Sequence, residues 1–97
     1  METVKEILNQ LGGNKFVVMT GAHTILKHDD NTLSLKFRGS RRANYLKVQY
    51  IPSIDLYTVT IGKIGAKTYK VISQTEGVYN DMLQELFTRV TGLYTSL

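Results

Sequence analysis

Five cationic side chains and one phenol, Lys36, Arg38, Arg41, Arg42, Lys47 and Tyr45, fall within twelve residues of this chain. Lysine and arginine neutralise phosphates and release the counterions condensed on them, a source of affinity that needs no base recognition. Arginine adds a planar fork that matches a phosphate or a guanine edge. A tyrosine ring offers a surface on which an unpaired base stacks, worth ~1–3 kcal/mol. No acid lies between Asn31 and Ile54 to neutralise the group. Across residues 31–75 the charge is +7, with Asp55 the single acid, against −3 for the rest and +4 for the whole. Such asymmetry predicts a basic face on one structural layer, with the acids on another, and nominates a polyanion as partner. Three readings remain open at this point: nucleic acid, an acidic protein surface, or a solvated face that keeps a sheet from pairing edge to edge.

Other spacings that suggest chemistry have simpler explanations. His28, Asp29 and Asp30 resemble hard-metal ligands, but consecutive side chains diverge, and Asp-Asp-Asn is hairpin-turn composition. His23 and His28 are five apart, which on a regular strand sets them on opposite faces and away from a shared metal. Gly12-Gly13-Asn14-Lys15 follows a helical pattern, whereas a phosphate loop precedes one and ends in Gly-Lys-Ser/Thr. Gly39-Ser40 has no second glycine at nucleophile-elbow spacing, and no His–acid pair is evident to activate the serine. Glu2, Glu6, Glu76, Asp81 and Glu85 fit helix surfaces and ends, where they compensate dipoles. The expectation is a non-enzymatic protein with no cofactor and no metal.

These residues need a frame. The 97 residues suit a single domain spanning 1–97, with 42% hydrophobic and 21% charged residues in the ordinary globular range. Without cysteine there is no disulfide or thiolate metal site. Met1-Glu2-Thr3-Val4-Lys5 lacks the pattern of a signal peptide, and no apolar run approaches the ~20 residues of a membrane span. A cytoplasmic protein with no membrane partner is expected.

Thr3 and Glu6 fit a capping box, and Val4, Ile7, Leu8 and Leu11 form one helical stripe that Gly12-Gly13 ends. Phe16, Val17, Val18 and Met19 read as a buried strand, with a bulge or bend at Thr20-Gly21-Ala22. Residues 22–28 leave open whether a further strand follows before the turn at 28–31. Leu33, Leu35 and Phe37 alternate with Ser34, Lys36 and Arg38, and Leu46, Val48 and Tyr50 with Tyr45, Lys47 and Gln49. Pro52 ends the second of these strands. Residues 56–61 form another strand, Gly62-Lys63-Ile64-Gly65 a turn, and 67–74 the last strand. A helix from about residue 78 presents Met82, Leu83, Leu86, Phe87 and Val90, and Gly92 stops it. Short connections predict an antiparallel meander, and two amphipathic helices need a surface to cover. The fold class is therefore α+β, a two-layer sandwich with a four- to five-stranded antiparallel sheet and the N- and C-terminal helices on one face. Lys36, Arg38, Tyr45 and Lys47 are expected on the other face, with Arg41 and Arg42 extending from the hairpin tip. Tyr50, Tyr57 and Tyr69 are expected at the edge of the core with wet hydroxyls, and Tyr79 and Tyr94 at the ends of the last helix.

The strings Leu11-Gly12-Gly13-Asn14-Lys15-Phe16, Met19-Thr20-Gly21-Ala22 and the closing Thr91-Gly92-Leu93-Tyr94-Thr95-Ser96-Leu97 resemble a family of small, mostly uncharacterised proteins. These occur in bacteriophage genomes and other mobile elements. The resemblance implies an accessory gene product acting in the host cell and transfers no site residues. It raises two classes: a protein that binds the element's nucleic acid, and a protein-interaction module that inhibits a host defence or nucleic-acid-processing complex. Self-association through a strand edge or the apolar C-terminal tail is compatible with either.

Overall fold

The computed structural model describes residues 2–93. The side chain of the expected Thr3 cap and the packing of residues 94–97 lie outside what it describes. In chain order the elements are α1 (Glu2–Leu11), α2 (Asn14–Thr20), β1 (His23–Asp29), β2 (Thr32–Lys36), β3 (Tyr45–Ile51), β4 (Leu56–Ile64) and β5 (Tyr69–Val78). A single 3-10 turn (Asn80–Met82) then leads into α3 (Leu83–Thr91).

Each strand is antiparallel to its neighbour in the order β1-β2-β3-β4-β5, a five-stranded meander. Leu33 faces Val48, and Leu35 faces Leu46, which in turn faces Ile61. These apolar pairs point at the helices, whose Ile7, Leu11, Phe16, Leu83, Leu86 and Phe87 complete one buried cluster. Phe87 is its centre, meeting the ring edges of Phe16 at 5.2 Å and Phe37 at 5.0 Å. Gln84 Nε2 donates to the carbonyl of Gln10 at 2.9 Å, tying α3 to the end of α1. The architecture is the two-layer α+β sandwich that the alternating strands and flanking amphipathic helices predict.

The segment 16–19 is a helix, not a strand. Phe16 and Thr20, four apart, are buried, while Val18 between them is 80% exposed. The Thr20 hydroxyl donates to the Phe16 carbonyl at 2.7 Å, a bond that needs helical geometry. Four consecutive apolar residues carry too little periodicity to separate the two states. Gly21, in the left-handed region at φ 66°, ends α2, and its N–H and that of Ala22 donate to Val17.

The open segment does form a strand, from His23 to Asp29, whose carboxylate accepts the Asn31 N–H at 2.8 Å in the following turn. Residues 62–64 belong to β4, and the turn is 65–68, closed by Gly65 N–H donating to the Thr68 carbonyl at 2.8 Å. Met82 is also displaced from its expected place in the core. The 3-10 turn precedes the helix proper and leaves Met82 43% exposed.

Candidate nucleic-acid interface

Strand register decides what the helix-free face presents. Lys36 faces Tyr45 and Ser34 faces Lys47 across β2 and β3, so Lys36, Tyr45 and Lys47 share the side opposite the core. Lys47 then faces Thr60 and Tyr45 faces Gly62 on β4. Beyond these, Gln74, Val71 and Tyr69 on β5 face Thr60, Gly62 and Ile64. A groove of about 450 Å³ runs over this patch. Tyr45 and Tyr69 meet edge to face in it, with ring centroids 5.7 Å apart.

Tyr69 is thus an outward residue, 51% exposed, and not the core-edge tyrosine its strand position suggests. A Cβ on residue 62 would lie 2.9 Å from Tyr69 Cε1 and 2.8 Å from the Lys70 carbonyl, so only glycine lets this ring rest on the β4 backbone. Desolvation of the phenol, then the neighbouring Tyr45, pushes its pKa up.

The other three cations sit in the connection 37–44, which does not project as a free tip. Phe37 N–H donates to the Asn44 carbonyl at 3.0 Å, and Asn44 brackets Ile64, donating Nδ2 to its carbonyl at 3.0 Å and accepting its N–H at 2.8 Å. Ala43 is fully buried. Ser40 Oγ donates to the Thr91 carbonyl at 2.8 Å and accepts the Arg42 N–H at 3.1 Å, pinning the loop to the end of α3. Arg41 and Arg42 stay exposed, and Lys63 Nζ donates to the Arg41 carbonyl at 3.0 Å. Arg38 N–H donates to the Thr20 carbonyl at 2.8 Å, and its stem lies along Gly21. The six predicted residues therefore divide, with three on the sheet face and three on a docked loop at the end of the same strands.

No protein-family model, no curated protein and no solved structure matches the chain.

Charge separates along the strands as well as between the layers. In a meander, alternate connections fall at the same end. The loop 37–44 and the turn 65–68 share one end, which carries Arg38, Arg41, Arg42 and Lys67, with Lys63 and Lys70 paired across β4 and β5 beside them. The turns at 30–31 and 52–55 share the other end, with Asp29, Asp30 and Asp55. Glu6 joins Asp55 there around a groove of about 430 Å³ walled by Tyr50, Tyr57 and Tyr79. The Tyr50 hydroxyl donates to Asp55 Oδ1 at 2.5 Å. That bond, then desolvation and the Asp55 charge, raises the Tyr50 pKa, and burial followed by the Glu6 charge raises that of Tyr57.

Both histidines face outward, contrary to a simple parity count. A bulge between His23 and Leu26 shifts the alternation, so His23 faces Lys36 while His28 Nε2 shares a hydrogen bond with Ser34 Oγ at 2.6 Å. They stand near opposite ends of β1. Among the described residues, no three histidine, cysteine or acidic side chains gather as they would around a metal. Nor, among those residues, is any helix long and apolar enough to cross a membrane.

Tyr69, Lys63, Lys67 and Lys70 join the candidate site beside the six residues expected from the sequence. Their signal was the end-to-end alternation of a meander, which groups the β2–β3 and β4–β5 connections.

Proposed function

We propose that this protein is a non-enzymatic binding module that holds nucleic acid at its basic end and on the adjoining helix-free sheet face. Arg38, Arg41 and Arg42 on the loop and Lys36 and Lys47 on the face contact phosphates, and Tyr45 contributes a ring. Lys63, Lys67 and Lys70 add to the local potential. The observation that carries the reading is the gathering of these cations at one end of the strands, with no acid in either connection there. The motifs resembling mobile-element proteins fit an accessory role in the cytoplasm of a host cell.

Fluorescence anisotropy with labelled DNA and RNA at ~50 and ~200 mM salt tests it. If about five phosphates are neutralised, affinity falls roughly a hundred- to five-hundredfold between those concentrations. The double variant Arg41→Ala, Arg42→Ala should keep its fold and lower the logarithmic salt slope by about two. Unchanged affinity in that variant would remove the loop from the interface.

A second reading is favoured by the β5 edge, where Val71 and Ile72 are 46% and 39% exposed. An open edge with apolar side chains suits a partner strand, as in a protein that occupies a host defence complex. A stoichiometric protein partner retained from nuclease-treated host lysate, together with no nucleic-acid binding at low salt, would decide for it.

A further inference from the structure

Building on the nucleic-acid reading, we infer that the ligand is single-stranded, crossing the helix-free sheet face with bases stacked on Tyr69 and Tyr45. A basic hairpin reads duplex DNA by entering the major groove, which is about 12 Å wide. Here the hairpin is not free to do so. β2 is paired with β1 on one side and β3 with β4 on the other, and the loop between them is fastened to α3 by Ser40. The helices lie on the opposite face, so none is offered to a groove from this side.

What the face does offer is suited to unpaired bases. Tyr69 is half-exposed yet held from two directions, by the Gly62 backbone beneath it and the Tyr45 ring edge beside it. A ring already fixed loses little rotational freedom when a base stacks on it. Val71 and Ile64 extend the apolar floor, while Thr60 and Gln74 place polar groups where base edges would pass. Lys36 and Lys47 stand on the side of this floor away from β5. A chain running from Tyr69 on β5 to Lys36 on β2 crosses three strand spacings, about 14 Å. Bases inside a duplex are stacked on each other and cannot use such a floor. An unpaired strand can, with its phosphates turned toward the lysines and the basic end.

The test compares one sequence as single-stranded DNA, single-stranded RNA and duplex DNA by anisotropy at ~50 mM salt. Either single strand should bind more tightly than the duplex, and the two single-stranded arms tell DNA from RNA. Tyr69→Leu should weaken single-strand binding roughly five- to 150-fold, the loss of one stacked base, with the salt slope unchanged. Tyr69→Phe should stay near wild type. Should Tyr69→Leu fail to fold, the ring resonances of the wild-type protein give the same answer. Added single strand should shift Tyr45 and Tyr69 selectively among the six tyrosines. Equal affinity for duplex with no loss in Tyr69→Leu, or unmoved Tyr45 and Tyr69 resonances, would overturn the stacking floor and leave the phosphate reading standing. Absence of binding in every arm would overturn both.

Discussion

Tyr50 reports how a single side chain senses the sign of its surroundings. Its hydroxyl is committed to Asp55, so losing the proton would set two anions 2.5 Å apart. The phenol therefore titrates above its usual value of about 10. The folded state holds this proton more tightly than the unfolded one, so the contribution is fully present below about pH 10. It disappears as the pH rises through the folded-state value. Asp55→Asn should bring the Tyr50 midpoint down toward the ordinary one, read by ultraviolet absorbance of tyrosinate or by ring NMR. A midpoint that stays raised in Asp55→Asn would assign the effect to desolvation and to the neighbouring Tyr57 and Glu6. This bond was not legible in the sequence, because residues 50 and 55 meet only when the turn after Pro52 folds back. The outward placement of Lys36, Tyr45 and Lys47 was legible, because uninterrupted alternation assigns faces by counting.

At the scale of elements, the informative failure is α2. Its apolar run contains two β-branched residues and reads as a strand, yet only Phe16 and Thr20 are buried on it. Tertiary packing decides the outcome, since Phe16 as a helical residue reaches the edge of Phe87. Phe87→Ala should thus cost about 3–5 kcal/mol, removing a ring that contacts both Phe16 and Phe37. Val18→Ala, at an 80% exposed position, should change stability by less than about 0.5 kcal/mol. Urea denaturation compares the two directly, and a large cost at Val18 would mean that α2 buries the wrong face. Gly21→Ala adds a Cβ at φ 66°, 3.2 Å from Arg38 Cβ, and should cost about 1–2 kcal/mol. Bulges set the limit of reading strands by alternation. The irregularity between His23 and Leu26 reverses the parity of β1, and another in β5 opposite Ile61 and Gly62 brings Tyr69 outward with Val71.

Across the whole molecule, the order of turns matters more than the order of layers. The sequence shows a basic middle and net acidic ends, which suggests one charged layer. The meander instead deals alternate connections to opposite ends, separating Arg41, Arg42 and Lys67 from Asp30, Asp55 and Asp81. With extents of 34 × 31 × 22 Å, the two ends lie several screening lengths apart at physiological salt, where the Debye length is about 8 Å. A ligand at the basic end should then feel local charge and not the net charge. Two variants with equal and opposite changes separate these ideas. Asp30→Asn, Asp55→Asn, Asp81→Asn takes the net charge from +4 to +7 at the acidic end. Arg41→Gln, Arg42→Gln, Lys67→Gln takes it from +4 to +1 at the basic end. If binding follows the local field, the first should leave affinity for nucleic acid within about twofold at ~150 mM salt, because its changes lie beyond the screening length. The second should lose about two units of logarithmic salt slope, one for each of the Arg41 and Arg42 phosphate contacts, while Lys67 takes away local potential alone. At ~10 mM salt the screening length grows to about 30 Å, and the first variant should begin to bind more tightly than wild type. Equal and opposite responses at ~150 mM would instead make net charge the determinant and deprive the segregated ends of a role in binding.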